Sequence, residues 1–124
     1  MDALIVGGKE MTKRNFTFEE YQFSAKRTAN PHENAILNYG LGIAGEAGEV
    51  ADIIKKVSFH GHEMNKDDLK KELGDVLWYL SNIADLSGIT LEDVAVSNCI
   101  KLQHRYPKGF DKERSIYRKV EDEC

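Results

Sequence analysis

The chain is poor in cysteine and proline and contains no long hydrophobic run. Two of its 124 residues are cysteines and two are prolines, so we expect no disulfide framework and a reduced, cytoplasmic setting. No apolar stretch reaches the about 20 residues of a membrane-spanning helix. The N-terminus has no basic segment of the kind that begins a secretory signal. A chain of this length predicts a single domain. The lack of a long apolar run predicts that this domain does not associate with a membrane.

Positive charge is also in short supply. The 17 lysines and arginines are outnumbered by 21 acidic residues, giving a net charge of −4. A chain with this net charge has no overall positive electrostatic potential that would attract a nucleic acid polymer or an anionic membrane surface. An anionic small-molecule substrate would therefore need a local source of positive charge, such as a bound cation.

No segment alternates apolar and polar residues over a useful length, so no strands are predicted. Apolar residues instead recur every three or four positions in four segments, residues 18–29, 33–57, 66–86 and 91–105. Thr17-x-x-Glu20 and Asn65 provide helix start signals. Pro31 disfavours helix in the residue before it. The predicted fold is all-α and four-helix bundle-like, with an N-terminal extension at 1–15, a helical domain at 16–110 and a charged tail at 111–124.

The second predicted helix is apolar on nearly all sides and rich in glycine. A helix of this kind needs partners on several sides, and a chain of 124 residues supplies few. We therefore expect a homodimer, or a homotetramer built as a dimer of dimers. In this second helix, apolar or small residues recur every three or four positions at Leu37, Leu41, Ala44, Ala47 or Gly48, Ala51 and Ile54. The third helix has a similar apolar stripe at Leu69, Leu73, Val76, Leu80 and Ile83.

Two carboxylate pairs interrupt these apolar helices. Glu46 and Glu49 stand three residues apart in the second helix, as do Glu72 and Asp75 in the third. Residues three apart lie on neighbouring positions of one helix surface, so each pair can hold a cation. If the two helices pack antiparallel, the pairs face each other, and oxygen-only ligands favour Mg²⁺, with Mn²⁺ as a substitute. The alternative for either pair alone is ordinary exposed charge. The absence of a Glu-x-x-His motif argues against a di-iron bundle.

The third helix continues this polar surface beyond Asp75. Tyr79 and Asn82 follow at four and seven residues, beside the leucine seam. Tyr79 is a candidate substrate contact, with packing in the core as the alternative. Lys56, two turns after the first pair, is a candidate phosphate contact, with a solvated helix end as the alternative.

Three stretches carry a family resemblance. GLGIAGEAGEVADIIKK, KKELGDVLWYLSNIA and KLQHRYPKGF resemble the MazG-type all-α nucleoside triphosphate pyrophosphohydrolases over residues 16–110. The signature of that family is E-E-x-x-E followed, after a spacer, by E-x-x-D. This chain has Glu46-x-x-Glu49, 22 intervening residues and Glu72-x-x-Asp75. It departs at Gly45, where the family signature has the first glutamate of the doublet.

The resemblance implies hydrolysis of a nucleoside or deoxynucleoside triphosphate between its α- and β-phosphates, in nucleotide-pool housekeeping. It implies that the four carboxylates hold Mg²⁺ and that Glu46 or Glu49 handles the attacking water. Asn82 would contact the nucleotide or its phosphates. A basic cluster at the end of the fourth helix would help bind the triphosphate, across a subunit boundary in some members, with a favourable C-terminal helix charge as the alternative. Its members are Lys101, Arg105, Tyr106 and Lys108.

Rival functions remain within and outside this family. A dUTP- or dCTP-specific enzyme or a phosphoribosyl-ATP pyrophosphohydrolase would share the same carboxylates. A non-catalytic helical dimerisation module would keep the packing pattern but has no need of all four acidic residues, whose presence favours the enzyme.

Overall fold

Helices dominate the fold, as the sequence predicts. The computed structural model of the protein describes residues 2–118, which form five helices and one two-stranded sheet. In chain order the elements are β1 (Leu4–Val6), β2 (Lys9–Met11), α1 (Phe18–Lys26), α2 (Ala35–Phe59), α3 (Lys66–Leu86), α4 (Leu91–Arg105) and α5 (Lys112–Ile116). The all-α prediction is therefore confirmed, with a small hairpin added.

The hairpin corrects the expectation that the chain has no strands. β1 and β2 are antiparallel, with Val6 opposite Lys9, and the two residues between them, Gly7 and Gly8, have φ angles of 57° and 79°. Positive φ at both central residues is what a tight hairpin turn requires, and glycine adopts it without strain. Strands of three residues are too short to show an alternating pattern. The feature of the sequence that indicates a hairpin is therefore the glycine pair at its turn. Val6 and Met11 are buried, and β1 contacts α1.

Local hydrogen bonds set the helix starts where the sequence predicts them. The Thr17 hydroxyl accepts from the Glu20 amide at 3.2 Å, and the Glu20 carboxylate accepts from the Thr17 amide at 2.6 Å. The Asn65 side-chain oxygen accepts from the amides of Asp67 and Asp68 at 3.0 and 3.2 Å. These contacts satisfy amide groups that have no partner inside the helix.

The predicted helix ends are less accurate. α4 has the predicted bounds, whereas α2 begins and ends two residues later than predicted. α1 ends three residues early, at Lys26, where the amide of Ala29 donates to the Lys26 carbonyl in a turn. Helix boundaries depend on such local contacts more than on periodicity.

α2 and α3 form an antiparallel pair, to which α1 attaches directly and α4 attaches through α1. α1 packs on α3, where the Asn82 amide donates to the Ala25 carbonyl at 3.4 Å. α4 packs on α1 through Gln22, whose side chain donates to the Ile89 carbonyl at 2.9 Å and accepts from the Leu91 amide at 3.1 Å. These contacts fix α1 against α3 and against the turn that leads into α4.

An aromatic cluster sets the distance between α2 and α3. The ring centroid of Tyr39 lies 5.4 Å from that of Trp78 and 6.1 Å from that of Tyr79. The Trp78 indole N–H donates to the Thr28 hydroxyl at 2.8 Å. A side-chain carbon added at Gly42 would lie 2.3 Å from the Tyr79 ring. This glycine therefore permits the close approach of the two helices, one turn before Glu46.

The apolar stripe predicted along the second helix does not face the core. Leu37 is 65% exposed and Leu41 is 77% exposed, while Tyr39, Gly42 and Glu46 face α3. Because the helix is apolar on both sides, its periodicity could not show which side points inward.

The charged tail contains a short helix that the sequence did not predict. Asp111 caps α5 by accepting from the amides of Glu113 and Arg114. The last part of the tail, with Cys124, lies outside the described residues, and Cys99 is an exposed free thiol. Of the helices in residues 2–118, none combines the length and the hydropathy that a membrane span requires.

Candidate metal centre

Three of the four predicted carboxylates come together between α2 and α3. Glu46, Glu72 and Asp75 each offer one oxygen atom, and these atoms lie within 4.8 Å of one another. Glu46 and Glu72 are half-buried, and Asp75 is exposed. The antiparallel packing of the helices places Glu46 against the carboxylates of α3, as the sequence analysis expected.

The charges of this three-carboxylate cluster are not balanced within the described chain. Hydrogen bonding with Glu46, together with burial and the negative charges of Glu46 and Asp75, raises the pKa of Glu72 above its ordinary value. None of the ion pairs formed within residues 2–118 involves the three carboxylates. Clustered oxygen ligands without a basic partner suit a hard divalent cation, which would remove the repulsion.

Glu49 lies outside the cluster. It is exposed, one turn after Glu46. Its negative charge acts on Lys56, whose pKa is raised first by hydrogen bonding with Asp52 and then by the charges of Asp52 and Glu49. The predicted cage of four carboxylates is therefore a group of three with Glu49 beside it.

The sequence analysis overlooked Asp52, although its four-residue spacing from Lys56 is an ion-pair signal. The Lys56 ammonium lies 2.8 Å from the Asp52 carboxylate, and Lys55 lies 3.5 Å from it. These contacts agree with a solvated helix end, the alternative considered for Lys56.

A cavity of about 220 Å³ lies where α2 ends and α3 begins. Its lining includes Lys56, His62 and Asp68. Asp68 is one helical turn before Glu72, and its charge adds to the rise in the pKa of Glu72. Lys56 and Asp68 therefore border the same space, which none of the three clustered carboxylates lines.

Tyr79 and Asn82 are placed inside the helix packing. Tyr79 is half-buried in the aromatic cluster, against Gly42. Asn82 is 2% exposed, and its amide group donates to the carbonyl groups of Trp78 and Ala25. Both contacts are structural, and the predicted substrate contacts of these two residues stay predictions.

The basic cluster at the end of α4 is not part of the three-carboxylate cluster. Lys101 and Arg105 are half-buried on this helix, which packs on α1. The Tyr106 ring lies 5.3 Å from that of Phe110. Within a single chain, the basic cluster therefore belongs to the α1–α4 pair, whereas the three carboxylates lie between α2 and α3.

A larger cavity, of about 500 Å³, contains none of the three carboxylates. Its lining is mainly apolar and includes Phe16, Leu77 and Tyr21. Burial, and after it the charge of Asp75, raises the pKa of Tyr21, a residue to which the sequence analysis gave no role. We place the candidate site at the carboxylates because the lining of this cavity contains one acidic residue, Glu92, and no basic residue, whereas the cluster brings three carboxylates together.

Comparison with known proteins covers the part of the chain that holds these carboxylates. The profile of the MazG nucleotide pyrophosphohydrolase domain matches residues 35–110, which include all three clustered carboxylates. The "Gene 37 protein" of Mycobacterium phage L5 is 40% identical over 73 residues, and the match spans 56% of this chain and 64% of that relative's length. No solved structure matches the chain. The chain belongs to the MazG nucleotide pyrophosphohydrolase family.

Proposed function

We propose that the protein hydrolyses nucleoside or deoxynucleoside triphosphates between the α- and β-phosphates, in a Mg²⁺-dependent reaction that releases the monophosphate and pyrophosphate. The observation that carries this proposal is the three-carboxylate cluster within the matched domain. A role in nucleotide-pool housekeeping in the cytoplasm follows as part of the proposal, with dUTP, dCTP and phosphoribosyl-ATP among the candidate substrates.

Glu46, Glu72 and Asp75 would hold the metal. Their carboxylate oxygens match the ligand preference of Mg²⁺, and Mn²⁺ would serve as a substitute. A bound ion would supply the positive charge against the phosphates that a chain of net charge −4 otherwise lacks. Hydrogen bonding with Glu46 is the main cause of the raised pKa of Glu72, and burial and the neighbouring negative charges add to it. A bound cation would relieve the repulsion among these charges.

Glu49 is our proposed acceptor for the proton of the attacking water. It is exposed, lies one turn from Glu46 and is not needed to complete the three-carboxylate cluster. The water oxygen would bond to phosphorus while the bond from that phosphorus to the bridging oxygen breaks. The proton would pass to the Glu49 carboxylate, and pyrophosphate and monophosphate would leave. Glu46 remains the alternative acceptor.

Lys56 is our proposed phosphate contact within one chain. It lines a cavity together with Asp68, a residue one helical turn before Glu72, and its ion pair with Asp52 would restrict the motion of its ammonium group. Substrate contacts by Lys101, Arg105 and Tyr106 require that α4 of a second chain or a rearranged α4 approach the cluster. We propose assembly as a homodimer or homotetramer, which the many exposed apolar side chains support.

A substrate panel tests the reaction. The protein is incubated with NTPs and dNTPs plus Mg²⁺, and pyrophosphate and monophosphate are measured. We expect both products in equal amounts. Release of orthophosphate would show that a different bond is cleaved, and no turnover with any nucleotide would favour a non-catalytic helical module.

Two amide substitutions separate the roles of the carboxylates. Glu72→Gln should weaken Mn²⁺ binding, followed by paramagnetic resonance, and lower turnover at least about 100-fold. Glu49→Gln should keep Mn²⁺ binding but lose about 10²- to 10⁴-fold in turnover. The control Glu33→Gln changes an exposed glutamate before α2 and should alter neither. Loss of Mn²⁺ binding in Glu49→Gln would return Glu49 to the ligand set.

A further inference from the structure

The proposed reaction gives no role to the larger cavity, of about 500 Å³, beside the start of α1. We call it the aromatic cavity, because three of its six lining residues carry aromatic rings. The lining consists of Phe16, Thr17, Phe18, Tyr21, Leu77 and Glu92. Its volume falls within the about 300–1,000 Å³ of pockets that hold small molecules. The cavity is therefore large enough for a ligand of its own.

Local hydrogen bonds hold the walls of the aromatic cavity in place. The Thr17 amide donates to the Glu20 carboxylate at 2.6 Å, and this capping box fixes the first turn of α1, where Phe18 lies. The Gln22 side chain accepts from the Leu91 amide at 3.1 Å, which fixes the first turn of α4 beside α1. A ligand that enters between walls already ordered loses less free energy to the ordering of side chains.

The aromatic rings of this cavity leave ring surface free for a ligand. The ring centroids of Phe16 and Tyr21 lie 6.3 Å apart and the ring planes meet at 80°, so the two rings do not cover each other by stacking. Phe18 is 49% exposed. The face of an aromatic ring carries partial negative charge and attracts a cation within about 6 Å of the ring centre. Aromatic walls of this kind therefore favour a positively charged ligand over an anionic one.

Glu92 adds a full negative charge to the lining. It is half-buried in the first turn of α4, and none of the ion pairs within residues 2–118 includes its carboxylate. The dipole of α4 favours acidic residues in this turn, but Asp93 occupies the same turn and is exposed. The dipole therefore does not explain why one of the two carboxylates lines a cavity with three aromatic rings. A positively charged ligand would explain it.

The lining disfavours other classes of ligand. Among the described residues it includes no lysine, arginine or histidine, so an anion would meet Glu92 without a compensating charge. A compact ion such as Mg²⁺ requires an octahedral set of oxygen ligands or waters, and Phe16, Phe18 and Leu77 offer none. A wholly apolar ligand would bury Glu92 further without a partner. An organic cation with an apolar body complements both the rings and the carboxylate.

We propose that the aromatic cavity binds a small alkylammonium ion, a cation whose nitrogen is surrounded by methyl or methylene groups. The alkyl groups contact Leu77 and the rings of Phe16 and Tyr21, and the positive charge faces the Glu92 carboxylate. Aromatic walls are a recurrent means by which proteins bind quaternary ammonium groups. None of the three clustered carboxylates lines the cavity, so the proposal does not depend on the proposed reaction.

Titration of the labelled full chain with choline, followed by nuclear magnetic resonance, tests the site. We expect saturable shifts that are largest at Phe16, Tyr21 and Glu92. The carbon analogue of choline, in which a tert-butyl group replaces the trimethylammonium group, has the same shape without the charge and should bind at least about tenfold more weakly. Equal binding of the two compounds, or no saturation below about 50 mM choline, would overturn the proposal.

Three substitutions test the residues of the lining. Glu92→Gln should weaken choline binding at least about fivefold, because the ion loses its counter-charge. Asp93→Asn is the matched control, since it removes an exposed carboxylate from the same helical turn, and it should bind choline as the wild type does. Tyr21→Phe keeps the ring and should also bind as the wild type does. Equal losses in Glu92→Gln and Asp93→Asn, with helical circular dichroism unchanged in both, would show that choline responds to overall charge and not to this cavity.

A further variant separates the aromatic cavity from the metal centre. Glu72→Gln removes one carboxylate of the three-carboxylate cluster and should leave choline binding unchanged. If choline binding is lost in Glu72→Gln and kept in Glu92→Gln, the ion binds at the metal centre and the proposal is wrong.

Discussion

Replacing Gly42 with alanine should destabilise the protein even though alanine is the better helix former. The added carbon would lie 2.3, 2.4 and 2.8 Å from three atoms of the Tyr79 ring, whereas carbon atoms in contact prefer about 3.5–4.0 Å. The ring cannot simply move aside, because Trp78 and Tyr39 pack against it with centroids 5.1 and 6.1 Å away.

The expected magnitude follows from two opposing effects. Overpacking a core position costs about 1–3 kcal/mol, and alanine recovers about 1 kcal/mol of helix propensity. The net loss is therefore about 0–2 kcal/mol. Gly74→Ala is the matched control, since a carbon added there meets nothing within 4 Å, and it should gain up to about 1 kcal/mol. The two variants should differ in unfolding free energy by about 1–3 kcal/mol, which isolates the steric cost.

Urea unfolding at one fixed protein concentration measures this difference, because the stability of an oligomer depends on concentration. The slope with urea should be the same in all three proteins, so that midpoints report stability. If Gly42→Ala is as stable as Gly74→Ala, Tyr79 does not restrict this position and the close approach of α2 and α3 is not what selects glycine there.

Three further substitutions probe single contacts by the same unfolding measurement. Asn82→Leu should lose about 0.5–1.5 kcal/mol, because the carbonyl of Ala25 loses one of its two donors and keeps the Thr28 hydroxyl; unchanged stability would free Asn82 for a substrate role alone. Ser81→Ala should be neutral or stabilising by up to about 1 kcal/mol, since the fully buried hydroxyl has no hydrogen-bond partner in the described chain; a clear loss would reveal one. Thr17→Ala should lose about 1 kcal/mol at pH 7. Hydrogen bonds from the side chain and then the backbone of Thr17 lower the pKa of Glu20. The stabilisation from the bond between the Thr17 hydroxyl and the Glu20 carboxylate is therefore present above the unfolded pKa of about 4.3 and is lost as the pH falls through the folded value, whereas the bond from the Glu20 amide to the hydroxyl does not depend on pH. The deficit of Thr17→Ala should therefore shrink in acid, and a deficit independent of pH would contradict the capping box.

Local chemistry explains which features the sequence predicted well. Thr17 and Asn65 begin helices because their side chains bond amide groups within three residues, and that requires no information from the rest of the fold. α4 likewise begins at a local cap, because the Thr90 side chain accepts from the amide of Asp93. The hairpin was missed because three-residue strands carry too few positions for a pattern, although Gly7 and Gly8 are a recognisable turn pair.

The sequence by itself determined that the protein is helical and that carboxylates stand three residues apart on two of its helices. Those properties follow from spacing along the chain. Only the tertiary structure decided that Glu46 joins Glu72 and Asp75 while Glu49 stays outside. It also decided which side of α2 faces α3. An all-round apolar helix fits a core in either orientation, and here the close contact of Gly42 with Tyr79 selects one face and leaves Leu41 exposed.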